Sequence, residues 1–165
     1  MPQWTLFEID FRLIDGVLDD LLLRTNALSG HLIDRSGQVI TSAGRVDDFD
    51  VTSFASLAAA DFTANAELAQ LMGEPTVDAV VNEGRLRSVY SRMLAGRVIL
   101  SVVFDKRSTL GIVRTRSKRG ADLLDRVFRD LFEKVGLADS QEPAFEAAPD
   151  FAAAASNEVD ALFGE

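Results

Sequence analysis

Cysteine is absent from this sequence, and histidine, tyrosine and tryptophan occur once each. Without cysteine there are no disulfides, thiolate metal sites or cysteine nucleophiles. The lone His31 has no second imidazole to join it as a ligand, and no serine spacing marks a nucleophile for it to activate. Its expected place is a strand end or turn. Long hydrophobic runs are also missing: the longest, such as Val98 to Phe104, are far too short to cross a bilayer. The opening residues mix acidic and apolar side chains without a basic stretch ahead of an apolar one, so no leader is expected and the cytoplasm is the expected compartment. Finally, the region from Gly136 to Glu165 contains seven acidic residues and no basic ones. Most of the net charge of -9 therefore sits in the tail, leaving about -2 for the remainder. A domain so nearly neutral lacks the basic footprint that nucleic acid requires.

What is present suits a folded protein: 47% of residues are hydrophobic and 26% charged, in a chain long enough for one core plus short extensions. Phe7, Phe11, Ile14, Leu18 and Leu21 recur at helical spacing, which predicts an amphipathic helix from about Leu6 to Thr25. Gly30 to Gly44 reads as two strands joined at Asp34-Arg-Ser-Gly37. A second helix is expected from Val51 to Met72, ended by Gly73 and Pro75. Phe54, Leu57, Ala58, Phe62, Leu68, Ala69 and Met72 form its expected sheet-packing face. Strands follow at Ala79–Glu83, Ser88–Leu94 and Arg97–Phe104, the last two joined through Ala95-Gly96. Ser108 or Thr109 can cap a third helix running to about Val135. The order α-β-β-α-β-β-β-α predicts an α/β layered sandwich, a five-stranded, mostly antiparallel sheet flanked by three helices. Residues 1–135 are the expected domain, 136–156 a flexible acidic linker rich in alanine and proline, and 157–165 a short amphipathic docking segment.

Catalytic chemistry finds no purchase. Gly30, Gly37 and Gly44 punctuate a hairpin and lack the lysine and spacing of a phosphate loop. Asp47, Asp48 and Asp50 suit the start of a helix better than a cation site, since no further acidic ligand completes one. No enzyme activity, metal or cofactor is expected.

Three features point to binding instead. The outer stripe of the second helix, Ser53, Ser56, Ala60, Thr63, Glu67 and Gln70, is small or mildly polar, which admits another backbone at close range. Plain surface is the competing reading. Lys106, Arg107, Arg114, Arg116, Lys118 and Arg119 cluster around the start of the third helix, as a solvated face or as a dock for an acidic partner, this chain's own tail included. At the C-terminus Val159, Leu162 and Phe163 share one helical face, a motif that folds on docking or packs back locally.

These elements resemble the Roadblock dynein-light-chain superfamily, and within it the bacterial MglB branch. The segments carrying the resemblance are Gly37-Gln-Val-Ile-Thr-Ser-Ala-Gly44, Thr52-Ser-Phe-Ala-Ser-Leu57, Leu68-Ala-Gln-Leu-Met-Gly-Glu74 and Val98-Ile-Leu-Ser-Val-Val-Phe-Asp105. Lys106-Arg-Ser-Thr-Leu-Gly-Ile-Val-Arg114 and the terminal Val159-Asp-Ala-Leu-Phe163 extend it across nearly the whole chain. The resemblance implies a Roadblock-type fold and a homodimer in which second helices pair and sheets join edge to edge. It also implies a Ras-like GTPase partner of the MglA kind, activated by remodelling rather than by an inserted arginine. The terminal segment would touch that GTPase separately. The implied setting is front-rear polarity and gliding motility, with concentration at a cell pole. The chain departs from the family's small-residue stripe at Thr63 and Glu67. A glutamate there weakens such a contact or selects a more basic partner. The alternative is a non-activating scaffold that recruits a polarity or signalling protein, an acidic one if the basic cluster is the dock. A small-molecule sensor of similar shape would need a polar-lined cavity that no residue cluster marks.

Overall fold

The computed structural model describes residues 3–136. The elements are α1 (Gln3–Thr25), β1 (Ser29–Asp34), β2 (Val39–Gly44), α2 (Val51–Leu71), β3 (Ala79–Glu83), β4 (Arg87–Leu94), β5 (Val98–Asp105) and α3 (Leu110–Lys134). All five strands join in one antiparallel sheet of order β2-β1-β5-β4-β3. Helices α1 and α3 cover one face and α2 the other, which is the predicted layered sandwich.

Strand alternation divides the core in two. Leu32, Tyr90, Leu94, Val98, Leu100, Val102 and Phe104 point toward α1 and α3, where Ile14, Leu18, Leu21, Val113, Leu124 and Phe128 meet them. This is the larger layer, and each fully buried Leu, Ile or Phe in it contributes about 1.5–3 kcal/mol. Ile33, Val80 and Ile99 point the other way, against Ala55, Ala59 and Phe62 of α2.

α1 and α3 run antiparallel. The Arg116 guanidinium donates to the Arg24 carbonyl (3.2 Å) at one end, and Lys134 pairs with Asp10 (3.5 Å) at the other. Gly120 permits their approach: a Cβ there would stand 3.0 Å from Leu21 Cδ1. Thr109 caps α3 by accepting from the Ile112 amide. The β4–β5 connection puts Ala95 and Gly96 both at positive φ (51° and 70°), as a two-residue type I′ hairpin requires. Asp125 of α3 accepts the Ala95 amide (2.7 Å) and ties that turn to the helical layer.

Two expectations are corrected. His31 is no strand-end residue: it sits inside β1, fully buried, where alternation groups it with Ser29 and Ile33. And Leu57, Leu68 and Met72 do not pack on the sheet but face outward. At about 100° per residue, Leu57 and Leu68 lie about 140° and 120° round α2 from the buried Phe62, while Met72 falls at the C-cap. No helix among the described residues is long and apolar enough to cross a membrane.

Candidate interaction surface

The α2 helix begins at Asp50, whose side chain accepts from the Thr52 amide (3.1 Å) and from the Ser53 hydroxyl (2.6 Å). Those bonds, the Ser53 hydroxyl first, hold the Asp50 carboxyl below its ordinary value. Asp48 bridges Arg45 and Arg87, at 3.2 Å from each. Thus two of the three clustered aspartates are engaged by protein groups.

Toward the sheet, α2 buries Ala55, Ala59, Phe62 and Ala69. Alanines let the helix lie close to the strands. Asp61 secures its flank, accepting from Asn65 (2.9 Å) and from Asn82 of the edge strand β3 (2.7 Å).

The outward side carries all six residues of the predicted stripe, Ser53, Ser56, Ala60, Thr63, Glu67 and Gln70, each exposed. They do not form its crest, however. Ser53, Leu57, Ala60, Ala64, Glu67 and Leu71 do, alternating four and three residues apart. That is the spacing found along a helix-packing seam. Leu57 is 70% and Leu71 86% exposed, with Leu68 and Met72 bare beside them. These exposed apolar residues on one helix, interrupted at Glu67, are the kind of patch that interaction sites carry. Sequence reasoning missed Leu57, Ala64 and Leu71, although the seven-residue spacing was there to find.

Beneath α2 the sheet is partly polar. One cross-strand row reads Ser42, His31, Ser101, Ser91, by register His31↔Ser42, His31↔Ser101 and Ser91↔Ser101. His31 Nδ1 lies 2.8 Å from Ser42 Oγ and Nε2 lies 3.0 Å from Ser29 Oγ, and the Ser91 and Ser101 hydroxyls bond each other at 2.7 Å. The Phe49 and Phe54 rings close over the imidazole, with centroids 5.6 and 5.0 Å away. Burial pulls the His31 pKa down to about 4, so the ring is neutral at pH 7. A neutral imidazole has one donor and one acceptor, and two serines supply their complements.

The basic cluster is exposed but is not one patch. Arg107 turns back onto Asp105 (3.1 Å) and Arg114 lies over the Tyr90 ring (5.9 Å to its centroid). Arg116 and Arg119 face α1 across a groove of about 280 Å³. Lys118 shares a second, shallower depression with Arg119 and Arg126, and Lys106 stands in the turn before α3. Val159, Leu162 and Phe163 lie outside the described residues.

No protein-family model matches the chain, and no curated protein does. Solved structures do. MglB of Myxococcus xanthus is similar at 40% identity and a TM-score of 0.69, over 73% of this chain and 98% of that one. The gliding protein MglB of Thermus thermophilus is similar at 27% identity and a TM-score of 0.68, over 73% and 92%. A Roadblock/LC7 domain from Streptomyces avermitilis, 17% identical with a TM-score of 0.60 over 72% and 97%, shares the fold.

Proposed function

This chain belongs to the MglB family of Roadblock-fold proteins, and from that premise we propose that it is a non-catalytic, homodimeric regulator of a Ras-like GTPase of the MglA kind, acting in gliding motility and cell polarity. The observation that carries the reading is the exposed apolar crest of α2, Leu57, Ala60, Ala64 and Leu71. A twofold axis near Ala64 would set Leu57 of one copy against Leu71 of the next, and the small residues between would let the helices approach closely. β3 is an edge of the sheet, with no neighbour beyond it among the described residues, and its Asn82 bonds Asp61 of α2. Joined to its counterpart, it would continue the sheet across the dimer. The paired helices then form one surface for a GTPase, whose own catalytic groups are aligned by contact. The protein would work in the cytoplasm, concentrated at a pole.

Glu67 on the crest supports a second reading, a scaffold of the same fold that binds without activating. The two part in a phosphate-release assay with the cognate GTPase. A large rise in GTP turnover that survives replacement of Arg107, Arg114, Arg116 and Arg119 in turn is the expected result. Binding without a rise would favour the scaffold, and a rise abolished by one arginine would overturn activation by remodelling.

A further inference from the structure

On the face opposite α2, the antiparallel helices α1 and α3 enclose a groove lined by Gly16, Gly120, Leu13 and Leu123 beside the close contact of Gly120 with Leu21. A Cβ added at Gly16 would meet nothing within 4 Å, so the gap there is open space. Leu13 is 50% and Leu123 38% exposed. Four arginines flank the gap. Arg12 is paired with Glu8 and Arg24 with Asp20, both within α1. Arg116 and Arg119 have no carboxylate in ion-pair reach among the described residues. The site therefore wants an apolar ridge carrying negative charge on its sides.

We propose that this groove is the docking site for the C-terminal segment Asn157–Phe163 of the same chain, with Val159, Leu162 and Phe163 set between Leu13 and Leu123 and with Glu158 and Asp160 against Arg116 and Arg119. On a helix Glu158 and Asp160 fall about 100° to either side of Val159, so a carboxylate flanks each edge of the apolar ridge. The region after Gly136 has no basic residue to repel the arginines, and Asp20, which also lines the groove, is tied to Arg24.

The tether fits as well. α3 ends at Lys134 beside Asp10, at one mouth of the groove. Gly120 lies fourteen residues back along α3, about 21 Å by helical rise. A coil of the length of residues 137–157 would have a root-mean-square reach of about 25 Å. Effective concentration is highest when reach and span agree, so even a weak contact is occupied in the same chain. A tail held there is withheld from any other partner while the α2 surface stays open.

The cysteine-free sequence makes the test direct. A nitroxide is attached to the full-length Gly164→Cys chain and the amide signals are read by NMR. The expected result is loss of the Gly16 and Gly120 signals and their neighbours in the groove, with α2 unaffected. Leu162→Asp with Phe163→Asp in the same labelled chain should restore them, as should Arg116→Glu with Arg119→Glu. Uniform broadening indifferent to both pairs would overturn the proposal, leaving a tether and no dock. So would broadening that appears equally when isotope-labelled chains without nitroxide are mixed with nitroxide-bearing ones, since the tail would then sit on a second copy. No GTPase enters the measurement, so its outcome is independent of the regulator reading.

Discussion

A chain carrying Leu57→Arg and Leu71→Arg is expected to sediment as a monomer at concentrations where the parent sediments as a dimer, while its circular dichroism stays unchanged. Both leucines project from the crest of α2 into solvent, so neither replacement disturbs the core. In the proposed dimer Leu57 of each copy meets Leu71 of the other, and four leucines leave the interface at once. At about 1.5 kcal/mol or more for each buried leucine, the dissociation constant should rise at least about ten-thousandfold, before repulsion between the new guanidinium groups is counted. Sedimentation velocity across a concentration series reads this directly. A doubly substituted chain that remained dimeric would remove α2 from the self-contact. The same variant should lose its effect on GTP turnover, because the surface offered to the GTPase is assembled from two copies of that helix.

The second large effect is on stability in mild acid. His31 is buried and its pKa lies near 4 in the folded chain against 6.5 for an ordinary histidine. Above pH 6.5 the ring is neutral in both states and contributes no pH dependence. Below it, the unfolded chain takes up a proton that the folded chain refuses, so stability falls as pH drops toward 4. The whole loss is about 3 kcal/mol, and most of its slope between pH 6 and 5 precedes the titration of ordinary carboxylates. Urea unfolding at a series of pH values should reveal that slope in the parent. It should vanish in His31→Gln, whose amide can still bond Ser29 or Ser42 but does not titrate in this range. An equal slope in both proteins would assign the acid sensitivity elsewhere.

Most element boundaries were legible because periodicity and end signals agreed. Asp50 and Thr109 cap helices where a polar residue precedes an apolar run, and Ala95-Gly96 turns where two strands meet. The faces of α2 were harder. Alanine and leucine occur all round it, so no ring of charge marks the solvent side, and the bulkiest residues were assigned inward. The structure chooses the opposite at Leu57 and Leu68: close contact with the sheet selects alanine beneath, and leucine is left for the outside. His31 was misplaced for a different reason. A lone histidine beside glycine suggests a turn, yet strict alternation from Ser29 through Ile33 already put it on the buried face opposite Leu32. The groove between α1 and α3 had no signature at all. It arises where two helices from opposite ends of the chain meet, with Gly16 and Gly120, a hundred residues apart, both in its lining.

The two helical layers are not held equally. α1 and α3 share a continuous core with the sheet, whereas α2 is fastened mainly through small alanines, Phe62 and the half-buried Phe54, on a strand face interrupted by hydroxyls and an imidazole. Alanine burial releases little apolar surface, so opening α2 costs less free energy than opening the rest, and the molecule divides into a strong unit and a weaker one. Anything that seats on the outer side of α2 lends its binding free energy to the helix's own persistence, about 2.7 kcal/mol at a hundredfold excess over its dissociation constant. Amide protons along α2 therefore keep a record of occupancy, slowing their exchange with solvent when a partner is present and quickening when it leaves.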